Sequence, residues 1–342
     1  MQYNYSRYYE LLVGFPETYK LQDPVYPSLN ATDSNTLTFD SPLNFMAVQT
    51  AEGSGKSLSE NQLTATINGN IESKGSNARG CTIRVYNLSE ETARSLTLSN
   101  LKVILKAGYE DDYKNDSLPV IFSGQVKQSR HITKRQDNYV ELICQDGYTP
   151  STAIKINKSL KSTEGNPVTA NDVFDYLISV WNNNGIASTN SSIRFDDLPI
   201  HPSTVPFRGG WTGEGYLRDL TDEICDAFNY QWYIVNGVLY IQSAFENRVR
   251  DVVELDMSII KGISDGEQDV KRDSNTKEKS RITLTTFLNG TITEGKYINI
   301  VPTSDPLDKH TKYYGLYKII SVSHQLDYRG AAWDTKVECE KV

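Results

Sequence analysis

The groups in this chain that could do chemistry are few and scattered. Its four histidines lie far apart. Cys81, Cys144, Cys225 and Cys339 show no CxxC spacing and no nearby histidine, so neither zinc ligation nor a disulfide framework is expected. His324 and Asp327 have the separation of a metal pair, yet both fall where a hairpin turn is expected. Asp327 and Gly330 shaping that turn, with His324 packed on a neighbour, accounts for them better. The run RGGWTGEG from Arg208 reads as a glycine-rich loop ahead of a helix, but it lacks the Lys-Ser/Thr pair of a phosphate loop and follows a Pro-containing coil. The acidic clusters Glu110-Asp111-Asp112 and Asp265 to Asp269 miss the spacing of a calcium loop and read as solvated loops. With no HExxH, GxSxG, Walker or strand-borne GxGxxG pattern, the chain is expected to be no enzyme and to carry no cofactor or metal.

One basic cluster stands out: Lys127, Arg130, His131, Lys134 and Arg135 straddle an expected hairpin tip. Asp137 and Glu141 lie beside it and stacking aromatics are scarce, so contact with an acidic protein neighbour fits better than nucleic acid. The formal net charge of −8 also argues against a grip on phosphates. No stretch approaches the roughly 20 apolar residues of a membrane helix. The N-terminus lacks the pattern of a secretory signal, so synthesis in the cytoplasm is expected, and Asn-x-Ser/Thr matches such as Asn190 carry no weight.

The elements that position these groups form a repeat. At 342 residues the chain has room for roughly two or three domains of about 100–200 residues. Thr82 to Cys144 and Ile282 to Cys339 read as copies of one strand pattern. Each holds an alternating strand (TIRVYNL, ITLTTFL), a second strand (NLKVILKAGY, GKYINIVPT), a loop ending near Gly124 or Gly315, and a long hairpin. His131 matches His324 ahead of the turn, and Cys144 matches Cys339 at the close. SEETARSL from Ser89 reads as a short capped helix, replaced in the second copy by a turn at Asn289-Gly290. Ahead of the first copy, Tyr8 to Val13, Leu37 to Asp40, Asn44 to Val48 and Leu63 to Ile71 read as strands, with loops at Gly53–Glu60 and Glu72–Gly80. Between the copies, Thr169 to Asp172 is a capping box opening a helix that Gly185 ends. A second helix is expected from near Thr212, with Leu217, Leu220, Ile224 and Phe228 on one stripe, and Asn236-Gly237 joins two strands as a hairpin. Gly266 to Ser280 reads as a surface loop. The expected division is 1–149, 150–250 and 251–342.

The series RVYNLSEET, LKAGY, VIFSGQV and VELICQDG resembles the first barrel of contractile-tail phage baseplate hub proteins. EGKYINIV with YYGLYKIISVSHQLDYRGAAWDTKVEC resembles their second barrel, and GYLRDLTDEICDAFNYQWYIVNGVLYI the insert between. Type VI secretion spike proteins begin with a similar module. The resemblance runs from about Leu37 onward. It implies a mainly β fold with an α+β insert: two similar tube-type β-barrels separated by a small helix-hairpin domain. The assembly implied is a homotrimeric, pseudo-sixfold ring adapting a sixfold tail tube to a threefold spike, located in the virion baseplate and assembled in the host cytoplasm. The implied partners are a separate spike protein below, a tail tube or tube-initiator protein above, and tape measure and baseplate wedge proteins, with DNA passing through the lumen unbound. On this reading the hairpin arms Lys127 to Arg135 and Gln325 to Ala331 protrude, making Lys127, Arg130, His131, Lys134, Arg135, His324, Asp327 and Arg329 interface candidates. Two other readings compete: a carbohydrate-binding adhesin using Trp181, Trp211, Trp232 and Trp333, and, with least support, a cell-wall hydrolase.

Overall fold

The computed structural model describes residues 7–16, 39–48, 62–71, 79–98, 101–109, 111–112, 115, 117–134, 137–189, 191–195, 201–243, 249, 251–266, 280–302 and 311–342. Side chains are described for these except at 15–16, 39–48, 134 and 137. Arg135, the Gly53–Glu60 loop and nearly all of the Glu72–Gly80 and Gly266–Ser280 loops lie outside the described residues.

The first strand set comprises β1 (Arg7–Pro16), β2 (Phe39–Val48), β3 (Leu63–Asn70), β4 (Gly80–Tyr86), β5 (Lys102–Tyr109), β6 (Val120–Lys134) and β7 (Asp137–Gln145). Its order is β3-β4-β7-β6-β5-β1-β2, and every pairing is antiparallel. Period-two alternation builds its core: Leu63, Ala65 and Ile67 meet Ile83, Val85, Val103, Leu105, Val140 and Leu142, and β1 adds Tyr9, Leu11 and Val13. The stretch read as two strands around Leu37–Val48 is one continuous β2 against β1. Helix α1 (Glu90–Ser95) bridges β4 and β5, with the Ser89 side chain accepting from Thr92 N.

The second set comprises β14 (Val252–Asp256), β15 (Ile260–Asp265), β16 (Arg281–Phe287), β17 (Tyr297–Val301), β18 (Gly315–Asp327) and β19 (Trp333–Lys341), around Leu255, Ile282, Leu284, Ile298, Ile300, Ile319 and Val337. Its order, β15-β16-β19-β18-β17-β14, reproduces β3-β4-β7-β6-β5-β1 position by position. The difference is that β14 runs parallel to β17, whereas β1 runs antiparallel to β5. The match extends to single residues. In each hairpin a β-bulge follows the residue paired with the cysteine: Val126 faces Cys144 and Gln128 faces Ile143, while Ile319 faces Cys339 and Ser321 faces Glu338. His131 and His324 then pair with Val140 and Thr335, each four residues before its cysteine. Counting from the bulges, Gly124 corresponds to Tyr317 rather than to Gly315.

Between the sets lies an insert with its own core of Val173, Phe174, Leu177, Trp181, Leu217, Leu220, Ile224, Leu239 and Ile241. It contains α2 (Tyr148–Ala153), β8 (Lys155–Leu160), β9 (Val168–Thr169), α3 (Ala170–Asn183), β10 (Pro206–Phe207), β11 (Trp211–Tyr216), α4 (Leu217–Ala227), β12 (Tyr230–Val235) and β13 (Val238–Ser243). The capping box at α3 is complete: Thr169 Oγ1 accepts from Asp172 N at 3.4 Å and Asp172 Oδ2 accepts from Thr169 N at 2.7 Å. The second helix starts at Leu217, not near Thr212. Residues 211–216 are instead a strand paired with β8, and the bare Cα of Gly213 leaves room for the Trp211 ring. The two helices are pinned by Trp181 Nε1 donating to Thr221 Oγ1 at 3.0 Å.

Candidate functional site

Among the described residues, the side chains singled out for chemistry lie apart. Among the described residues no group of three His, Cys, Asp or Glu side chains could hold a metal ion. The four cysteines are free and buried. Burial pushes the Cys81 thiol well above its usual range, reinforced by Cys144 opposite it, and burial raises Cys144, Cys225 and Cys339 likewise. Such thiols stay protonated and are poor nucleophiles. The Arg208 glycine run makes no phosphate cradle, since Trp211–Tyr216 is committed to β8 and Leu217 N donates to Ile154 O. Trp181 and Trp333 are buried, Trp232 Nε1 donates to Asp222 at 2.7 Å, and Trp211 is half-buried beside Tyr176. None of the four offers the exposed planar face that a sugar-binding surface requires.

What the fold does present is a pair of equivalent hairpins in unlike settings. The second is built into a seam. Beyond its bulge, β18 pairs over Ser321–Asp327 with Asn70–Thr64 of β3, joining the two strand sets into one sheet. Gln325–Ala331 therefore does not protrude. Tyr328 N donates to Leu63 O at 3.0 Å, and the Arg7 guanidinium donates to the carbonyls of Asp327, Gly330 and Ala331 while covering the buried Trp333 ring. Asp327 Oδ1 accepts from Gly330 N at 2.8 Å and shapes the turn, with Arg329 exposed on it. His324 is not at the turn. It lies within β18, three residues short of the strand's end, and is 0% exposed; its Nδ1 lies 3.0 Å from Thr335 Oγ1, and burial, aided by Arg79, keeps the imidazole neutral. It is thus removed as a contact for another chain.

Three contacts that the sequence did not reveal complete the seam. The bulge residue Ile320 packs with Ile71, Tyr233 and Val235, so both strand sets and the insert share one apolar cluster. Arg79 and Glu294, 2% and 4% exposed, face each other across the sets at 3.7 Å, and Gly69 lacks the Cβ that would strike the Glu294 carboxylate. The Asn236-Gly237 turn of the insert, with φ of 52° and 79°, plugs into the first set. There Asn236 Oδ1 accepts from Ser123 N, Asn236 Nδ2 donates to Val120 O, and Gly237 N donates to both Asp146 oxygens at 3.1 Å. Burial raises the Asp146 carboxyl to about 7, against the pull of Gly237 N–H, Arg79 and Lys102.

The first hairpin faces outward. Its bulge residue Lys127 is exposed, with Nζ 5.7 Å from the Tyr148 ring centroid. Arg130 Nε and Arg84 Nε each donate to Glu141 at 2.7 Å. Burial alone would raise the Glu141 carboxyl, but the two guanidiniums hold it below the usual carboxylate range. His131 is exposed and lies 2.5 Å from Asn138 Oδ1, and Lys134 ends the strand. β5 covers β6 only through Gln125, so among the described residues Gln128–Lys134 pairs with β7 alone.

No family model and no curated protein matches the sequence. Solved structures do share the fold. The tail protein from Neisseria meningitidis MC58 aligns over 84% of this chain and 94% of its own, with a TM-score of 0.53 at 11% identity. The 43 kDa tail protein of prophage MuSo2 from Shewanella oneidensis aligns over 82% and 96%, with a TM-score of 0.51 at 9% identity. An Escherichia coli component of the type VI secretion system, itself described as similar to T4 bacteriophage tail proteins, aligns over 82% and 73%, with a TM-score of 0.52 at 9% identity. The fold of this chain is that of phage tail proteins and their type VI secretion counterparts.

Proposed function

We propose that this chain is a structural hub of a phage tail baseplate. As a homotrimer, each copy contributes two barrel-like strand sets (within 1–149 and 251–342) flanking the 150–250 insert. Three chains then offer six near-equivalent units, matching a sixfold tube above and a threefold spike below. The observation that carries this reading is the agreement of the two sets in strand order, bulge position and histidine position. A symmetry adaptor needs such duplication, since each of three chains must present two near-equivalent units to a sixfold partner. The solved structures that share the fold are tail proteins, which supports a non-enzymatic role, and the buried and half-buried tryptophans count against the adhesin reading.

The partners on this reading are a spike, a tail tube or tube-initiator protein, and tape measure and wedge proteins. The location is the virion tail, after assembly in the host cytoplasm. A net charge of −8 suits a lumen through which DNA slides without sticking. Light scattering on the purified full chain, over a concentration series, tests the core of this: a threefold mass is expected, and a persistent monomer overturns it.

A further inference from the structure

The joint between the two strand sets is a template for a joint the single chain cannot make. Within the chain, the outer half of β18 pairs with β3. By the position-by-position match, β6 stands where β18 does and β15 stands where β3 does. Both stand-ins are open on the relevant edge among the described residues: β6 beyond Val126, whose N–H donates to Leu101 O, pairs only with β7, and β15 pairs only with β16. We infer that Arg130–Lys134 of one chain pairs antiparallel with Gly262–Gly266 of a second copy, repeating the β18–β3 joint between chains. This inference rests on the ring reading above and names the edges that close it.

The register follows from the pairings within the chain. His324 faces Ile67 and Leu326 faces Ala65. Ile67 and Ala65 face Cys81 and Ile83, whose counterparts Ile282 and Leu284 face Asp265 and Ile263. His131 is thereby set against Asp265 and Thr133 against Ile263. On the opposite face Arg130, Ile132 and Lys134 are set against Gly266, Ser264 and Gly262.

Charge favours this pairing. The β6 edge carries Arg130, His131 and Lys134, and the position opposite His131 is an exposed aspartate whose partner among the described residues is the exposed Lys312. The substitution pattern favours it too. Where the joint within the chain buries Leu326, Ala65 and Ile67, the joint between chains has Thr133, Ile263 and Asp265. Polar and charged residues guard a strand edge that must stay in water until its partner arrives. Ile263, half-buried at the end of its sheet, is the apolar residue awaiting cover.

Directly opposed residues in antiparallel strands have Cα atoms about 4.5–5.5 Å apart, within reach of a disulfide. The test is therefore oxidation of an equimolar mixture of full-length His131→Cys and Asp265→Cys chains. Cross-linked dimer on a denaturing gel is expected, and the His131→Cys/Asp265→Cys double variant should form a closed trimer. His131→Cys mixed with Ser264→Cys, whose side chain points to the other face, should give little. As an independent arm, His131→Glu should weaken association and Asp265→Lys in the same chain should restore it. A threefold mass without the specific cross-link overturns this edge pairing and leaves the hub reading standing. A monomer at every concentration overturns both.

Discussion

The β6–β7 and β18–β19 hairpins share strand order, a bulge opposite a cysteine, and a histidine at the same step, yet one is a seam and the other a surface. At the bulge, Ile320 joins an apolar cluster while Lys127 lies exposed. Four steps beyond it, His324 is enclosed and bonded to Thr335 while His131 is open to solvent. Local pattern thus sets the backbone, and what the neighbouring chain segment brings sets the chemistry. In the seam, β3, Arg7 and the insert residues Tyr233 and Val235 supply the cover. The insert turn reaches only the base of the first hairpin, at Val120 and Ser123, and among the described residues its outer half, Gln128–Lys134, pairs with β7 alone.

Breaking each side's charge pairing gives the widest expected separation. Arg79→Ala takes from the buried Glu294 the guanidinium that faces it and should cost about 3–5 kcal/mol in denaturant unfolding. Arg130→Ala should cost about 1 kcal/mol or less, because Arg130 is 54% exposed and Arg84 remains on Glu141. Equal losses would dissolve the contrast. Swapping the bulge residues sharpens it: Ile320→Lys forces an ammonium into an apolar cluster and should cost about 3 kcal/mol, whereas Lys127→Ile should stay within about 0.5 kcal/mol. Thermal melts of the two variants decide this.

The smallest effect lies in pH dependence, where the two sides have opposite signs. Asp146 has a folded pKa raised to about 7, so its contribution is present at low pH and is lost as pH rises from about 4 through 7. Asp146→Asn should remove that loss. Glu141 is held below its usual range, so its contribution is present above about pH 4.3 and is lost as pH falls. Glu141→Gln should flatten the acid limb instead. Urea midpoints measured from about pH 2 to 8 would reverse the assignment if the two variants traded behaviours.

Much of the fold was legible because it is written locally. Alternation at Leu63, Ala65 and Ile67, the Thr169–Asp172 box and the Asn236-Gly237 turn each state a conformation within a few residues. The shared strand order was legible because two copies of one pattern can be laid side by side. The seam was not. Alternation says that a face of β18 is covered without saying that β3, more than 250 residues earlier, covers it. That is why His324 was read at a turn and the arm around it as free. Arg79 and Glu294 carry no local signature, since each is an ordinary charged residue in a polar stretch until the other arrives. The start of α4 was placed too early because no proline separates Thr212 from Leu217, while Gly213, Gly215 and the β8 partner make that stretch a strand.

The bulge in β18 turns one strand into a member of two structures. Tyr317, Ile319 and Val322 point into the core of the second set, while Leu326, near the outer end, joins the core of the first. The outer half is flanked by β19 on one side and β3 on the other. Tension along that strand must therefore slide two hydrogen-bonded ladders at once, in shear, instead of peeling them bond by bond. A strand gripped this way is the part of the molecule suited to pass a mechanical load from one half to the other without the halves coming apart.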